Sequence, residues 1–218
     1  MFALEEKRKQ ILKQLADEFL QRERIVYIKE SEFREINTVN EISIDGINIT
    51  IPNRVTANVI KGSGKIKYLD YEAGNCDPIY AKAIMTVDSY IRNTHRIPSD
   101  KDIIISHEQE YYKIQGNAST LAEALLIAAT IYSAPIKQNV IIIGTIDQFG
   151  TPLPVKAINT KIKDILYFLD ITKTNNCKVA IPNNTKLHDD IPTDRIVKIP
   201  PFVHIFDQKE NKYFSQEV

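Results

Sequence analysis

Gln115-Gly116-Asn117-Ala118-Ser119-Thr120-Leu121-Ala122-Glu123 runs straight into an apolar stretch that ends near Ser133, and this junction decides the fold. A glycine-bearing polar turn that opens into residues with almost no hydrophilic face predicts a helix over 120–133 buried on nearly all sides. Just downstream, Asn139 to Gly144 is too apolar to face water and reads as a buried strand. Outward from this pair, Ile79–Arg92 and Asn159–Leu169 carry helical spacing, whereas Asp102–His107 and Lys178–Ile181 read as strands. Strands alternating with helices in this way predict an α/β (α+β layered) domain.

Upstream the periods shorten. Ile42-Ser43-Ile44, Ile47–Ile51, Val55–Ile60 and Lys65–Leu69 are short β-branched runs, punctuated by Asp45-Gly46 and Gly62-Ser63-Gly64, and predict a small antiparallel β region. Gly62-Ser63-Gly64-Lys65 is not a phosphate loop, because Val59 stands where that loop needs its first glycine and Ile66 where it needs Ser or Thr. Residues 1 to about 24 place Leu4, Ile11, Leu12, Leu15, Phe19 and Leu20 at helical spacing, with balanced charge on the polar face. This predicts an amphipathic docking or connecting helix, and divides the chain into a connector over 1–30 and a main domain over 31–218.

The whole chain bounds the function. Its 218 residues suffice for one full domain with an appendage, and 43% apolar with 26% charged residues is a globular composition. Twenty-eight basic residues against 28 acidic ones give no net field for nucleic acid or an anionic membrane, and Lys61, Lys65 and Lys67 around one turn read as a solvated strand edge. Cys76 and Cys177 form no disulfide framework, and His95, His107, His188 and His204 have no metal-ligand spacing. With no apolar leader and no run of 18 to 20 apolar residues, a cytoplasmic protein is expected.

Chemistry concentrates at the opening junction. A helix N-terminus presents unpaired N–H groups, so a carbonyl placed there meets a partly built oxyanion hole. The same residues also allow a purely structural account, in which Thr120 and Glu123 form a Ser/Thr-x-x-Glu capping box.

Several blocks resemble the Lon-type peptidases. His107-Glu108-Gln109, followed after six residues by Gly116-Asn117-Ala118-Ser119-Thr120, is similar to the nucleophile segment of the Lon-related bacterial ATP-dependent proteases, where Phe-Glu-Gln precedes Gly-Asp-Ser-Ala-Ser. Pro135-Ile136-Lys137-Gln138 resembles that branch's Pro-Ile-Arg-Gln, and Gly144–Gly150 resembles its Gly-Ser-Ile-Asp-Gln-Phe-Gly. Pro154–Ile162 falls where the family has Pro-Ile-Gly-Gly-Val-Asn-Glu-Lys-Ile, and Arg54–Val59 where it has Arg-Ile-Thr-Ala-Arg-Val. In-order similarity therefore runs from about Phe33 to about Phe206.

The resemblance implies the Lon proteolytic-domain fold and a serine–lysine dyad at positions 118 and 161. A serine hydroxyl attacks only when a base takes its proton, and lysine serves as that base only when burial leaves its amine neutral. Ile158, Ile162 and Ile165 would supply such surroundings for Lys161. Ala118, however, has no hydroxyl, and Ser119 is the fallback nucleophile, although one helical step turns it by about 100°. Lys156-Ala157 replaces the family's paired glycines and Thr160 its Glu, so a backbone less able to reach φ > 0 is expected near Lys161.

Two origins account for Ala118: a substitution in an active serine endopeptidase, or the native residue of a pseudopeptidase kept for binding or ring assembly. The joint departures lean toward the second. No metal and no cofactor is expected in this chain, and ATP enters only through a separate or removed ATPase module. The implied partners are unstructured or misfolded polypeptide, an ATPase unfoldase and further copies of the chain in a hexameric ring, with neither nucleic acid nor membrane among them.

Overall fold

A computed structural model describes residues 2–21, 31–32, 34–108, 112–174 and 176–200. Residues 22–30, the last part of the predicted connector, as well as Gln109 and the segment after Pro200 lie outside the described residues. In chain order the elements are α1 (Phe2–Gln21), β1 (Ser31–Glu32), β2 (Glu35–Ile44), β3 (Ile47–Lys61), β4 (Ile66–Tyr68), α2 (Leu69–Glu72), α3 (Pro78–Thr94) and β5 (Lys101–His107). They continue as α4 (Thr120–Tyr132), β6 (Ile136–Lys137), β7 (Val140–Ile142), β8 (Thr145–Ile146), β9 (Pro152–Leu153), α5 (Ile158–Ile171), β10 (Lys178–Pro182) and β11 (Ile196–Ile199). The layered α/β architecture predicted from the sequence is the one observed.

One seven-stranded sheet, in the order β11-β10-β7-β2-β3-β5-β4, organises the molecule. β11, β10, β7 and β2 run parallel, whereas β2, β3 and β5 are antiparallel neighbours. The antiparallel region is thus one wing of the main sheet. Residues 47–61 form a single long strand where two short ones were expected. Pro52 explains how. Thr50 donates its N–H away from β2, to Asp164, and Pro52 shares its parity. β5 pairs only from Val55 onward, so the N–H that proline lacks breaks no ladder bond.

The two helices of the site cover opposite faces. Along β7 and its continuation, Val140 and Ile142 pack in the cluster of α4, whereas Ile141 and Ile143 pack in that of α5, as pleat alternation requires. α3 lies on the outer side of α4, which is why α4 can be apolar all round. α1 buries Leu12 and Leu15 against Ile42, Ile49 and Ile51 and reaches α5 through Arg8 and Asp164. The stripe of α1 is narrower than its spacing predicts, since Leu4 and Leu20 are exposed.

The Gly62-Ser63-Gly64 turn holds an anion after all, but one from its own chain. Asp102 accepts from the Ser63 N–H at 2.7 Å and the Lys65 N–H at 3.0 Å, and pairs with Lys67 at 3.1 Å. Those backbone donors, with Lys67, hold its carboxyl down to about 2.

Candidate active site

Four elements converge to fix position 118. Asp77 caps α3 by accepting from the Tyr80 N–H at 2.7 Å, and its second oxygen accepts from the Gly116 N–H at 3.0 Å. Asn40 on β2 accepts from the Gln115 N–H at 3.2 Å. Gly116 adopts φ +72°, where glycine is at ease, and the chain then turns into α4. Finally, the Gly144 N–H donates to the Ala118 carbonyl at 2.9 Å and the Leu121 N–H to the Gly144 carbonyl at 3.1 Å.

Ala118 and Ser119 face opposite ways. Ala118 is buried in the cluster that holds Val39 of β2, Ile141, and Ile158, Ile162 and Ile165 of α5. Ser119, also buried, turns to the α4 side and donates to Glu123 Oε1 at 2.7 Å. The predicted capping box does not form. Ser119 rather than Thr120 is the N-cap, it makes no side-chain cap bond, and Thr120 Oγ1 meets Thr145 Oγ1 at 2.8 Å. The helix start is also less open than a bare terminus, because Gly144 takes the Leu121 N–H.

Lys161 lies in the first turn of α5, between Ile158 and Ile162, and is 7% exposed. Burial pulls its amine down to about 8, with Asp164 pulling up and Arg8 pushing down. Glu41 of β2 forms an ion pair with this amine. Glu41 shares a face of β2 with Val39, which packs beside Ala118, so the lysine and position 118 both adjoin one strip of sheet. Asp164, one turn further along α5, accepts from Arg8 Nε at 2.6 Å and from the Thr50 N–H at 2.9 Å, and its second oxygen also pairs with Arg8 Nη2.

The backbone before Lys161 contradicts the expectation drawn from its lost glycines. Ala157 is the N-cap of α5 at φ +54°, ψ +33°, a left-handed conformation. Side-chain loss of freedom did not change the turn; the strand-to-helix connection imposes it, and alanine carries the strain.

One group of site residues went unread in the sequence. Glu123, which spacing cast as a cap, is fully buried and accepts from Ser119 and, at 3.2 Å, from the Tyr80 hydroxyl. His107 Nε2 lies 3.3 Å from Glu123 Oε1, and its Nδ1 is 2.8 Å from Asn53 Nδ2. With Asn53 donating, the ring proton belongs on Nε2, facing the carboxylate. A lone Glu inside an all-apolar helix was the available signal. Among the described residues no cluster of three or more metal-ligating side chains occurs, and no helix is long and apolar enough to cross a membrane.

A putative Lon protease homolog of Escherichia coli strain K12 is 24% identical over 159 residues, covering 70% of this chain and 27% of its own length. Its relatives are Lon proteases. The archaeal Lon protease of Archaeoglobus fulgidus is 27% identical over 160 residues, covering 71% of this chain and 25% of its own. That of Pyrococcus abyssi is 24% identical over 214 residues, or 95% of this chain and 21% of its own. The chain thus spans about a quarter of the length of the Lon relatives it matches. No protein-family model matches it.

Proposed function

We propose that this chain is a Lon-type proteolytic domain built for serine–lysine chemistry on unstructured polypeptide, and inactive as it stands because Ala118 occupies the nucleophile position. The observation that carries this reading is the buried amine of Lys161, pulled down to about 8, on a helix whose apolar face packs with Ala118. With serine at 118, Oγ would attack the scissile carbonyl carbon while Lys161 Nζ takes its proton. The amine would return that proton to the departing amino group as the C–N bond breaks, and then deprotonate the water that resolves the acyl ester. In this reading the domain works as a homo-oligomeric ring in the cytoplasm, and any ATP is spent by a separate or covalently linked unfoldase.

The test is Ala118→Ser, assayed as an oligomer with an unfoldase supplied, on casein-like substrates and fluorogenic peptides. Activity should appear, rise with pH through about 8 as the amine loses its proton, and vanish with Lys161→Ala. Intact substrates under all these conditions overturn the proposal. Ser119 is the fallback nucleophile, and its involvement would show as activity of the unaltered chain that Ser119→Ala removes.

A second reading, a pseudopeptidase that binds polypeptide or assembles rings without cutting, draws on the missing hydroxyl together with the changes at Lys156, Ala157 and Thr160. An alanine codon at 118 in the source gene, with polypeptide binding but no turnover by Ala118→Ser, selects it. A serine codon eliminates it.

A further inference from the structure

We infer that α1 is a positioning element for Lys161: Arg8, by gripping Asp164 with two of its nitrogens, keeps that carboxylate from claiming the amine, so that docking of the N-terminal helix sets the proton state of the base. The word base rests on the function proposed above; the coupling itself does not.

Asp164 sits three residues after Lys161, on the same side of α5, and its side chain is 3% exposed. A carboxylate so deeply buried must be satisfied or neutralised. Part of the satisfaction is backbone, since the Thr50 N–H faces no strand where β5 has not yet begun. The hydrogen-bonded counter-charge comes from Arg8, through Nε at 2.6 Å and through Nη2, with the Lys161 amine a lesser attraction. A guanidinium stays protonated at any working pH, so this neutralisation does not titrate away. Arg8 is one helical turn before Leu12, and Leu12 and Leu15 anchor α1 to the β2–β3 wing. Hydrophobic docking of α1 therefore delivers the guanidinium to its partner.

The charges that face the amine are few. They are Glu41 from β2, Asp164 from its own helix and Arg8 from α1. Among the other charges on these elements, Lys163 pairs with Asp190 at 2.6 Å, Asp170 with Arg195 at 2.5 Å, and Lys7 with Asp45 at 3.2 Å. With Arg8 docked, two carboxylates meet two cations. Remove Arg8 and the same two carboxylates converge on one amine, which favours the ammonium and disables the base. A segment whose spacing reads as a connector thus belongs to the electrostatics of the site.

The test needs no peptidase activity. The unaltered chain, labelled with 13Cε-lysine, is titrated by NMR, and the Lys161 resonance is assigned by its loss in Lys161→Met. Its midpoint should lie at about 8. Arg8→Gln should raise that midpoint by about one pH unit, Arg8→Lys should leave it close to the parent value, and Asp164→Asn should lower it. In the Asp164→Asn background, Arg8→Gln should produce less than half its original rise, because most of its effect passes through the carboxylate. An unchanged midpoint in Arg8→Gln, or an equal rise with and without Asp164, overturns the inference. Should Arg8→Gln fail to fold, Asp164→Asn decides alone, and a midpoint that does not fall overturns it. Because the chain measured lacks a nucleophile, an inactive Ala118→Ser leaves this result standing, and a null titration leaves the peptidase test standing.

Discussion

The backbone N–H of Gly144 donates to the carbonyl of Ala118 at 2.9 Å, and the carbonyl of Gly144 accepts from Leu121 at 3.1 Å, so one residue at the end of β7 clasps both sides of the junction that opens α4. This clasp ties position 118 to the sheet, whose next residue back, Ile143, packs in the cluster shared with α5. The location of position 118 is therefore a property of the sheet as much as of the helix.

Gly144 has no room for a side chain. A Cβ there would lie 2.7 Å from Leu121 Cδ2 and 3.0 Å from Pro182 Cγ. Gly144→Ala should destabilise the domain by about 1–3 kcal/mol through overpacking, read as a lower urea midpoint at an unchanged slope. Unchanged stability would mean that Leu121 has a free alternative rotamer and that the clasp is loose.

Lys161 makes stability depend on pH in a definite direction. Its amine titrates at 10.5 when unfolded and about 8 when folded, so between these values the unfolded chain binds more protons and stability rises with pH. Below about 8 the cost of the buried ammonium is present in full, with a ceiling on the order of 3 kcal/mol. Denaturant unfolding of the parent and of Lys161→Met between pH 7 and 11 should show the parent gaining on the variant across this window. Parallel curves would place the amine in solvent-like surroundings.

The legible parts of the fold were those where local pattern and tertiary role agree. The all-apolar run behind Ser119 could only be a buried helix, Val140 to Ile142 could only be a buried strand, and Asp45-Gly46 forms the predicted hairpin turn with φ +52° and +74°. Pro52 lies inside the long strand, where a proline usually ends a β run, because the partner strand on that side starts three residues later. The pairs β8–β9 and β1–β6 are two residues long and leave no period to detect. In the site, the Lys161 block was legible through its resemblance and its apolar neighbours. Of its charged neighbours, Asp164 lies one helical turn away on the same face of α5, whereas Arg8 and Glu41 come from sequence positions that no local spacing connects.

Ala157 carries strain that a single methyl group explains. At φ +54° its Cβ crowds the following carbonyl, a cost of roughly 1–2 kcal/mol that glycine does not incur. Glycine would lose more backbone freedom on folding, about 0.5–1 kcal/mol, so the two effects oppose and the strain is the larger. Ala157→Gly should stabilise the protein by about 0.5–1 kcal/mol, seen as a raised melting temperature. A lower melting temperature would show that the turn relaxes out of the left-handed region.

Glu123 has the most to lose from a change of chemistry at constant volume. Its carboxylate is fully buried and gathers Ser119 at 2.7 Å, Tyr80 at 3.2 Å and His107 at 3.3 Å. The same charge, after burial itself, helps to push the phenols of Tyr80 and Tyr68 well above their ordinary range. Glu123→Leu would leave a serine hydroxyl unpaired in the interior and reduce the Tyr80 phenol and the His107 imidazole to their mutual contact at 3.2 Å, and should cost more than about 2 kcal/mol, whereas Glu123→Gln keeps an acceptor and should cost less. Ser119→Ala removes one partner of the carboxylate and should cost about 1 kcal/mol. If the hydroxyl acts only through Glu123, that cost disappears in the Glu123→Leu background, since there is no carboxylate left to satisfy. Additive losses across the four urea curves would instead give Ser119 a separate role, which would put the residue beside Ala118 back among the groups available for chemistry.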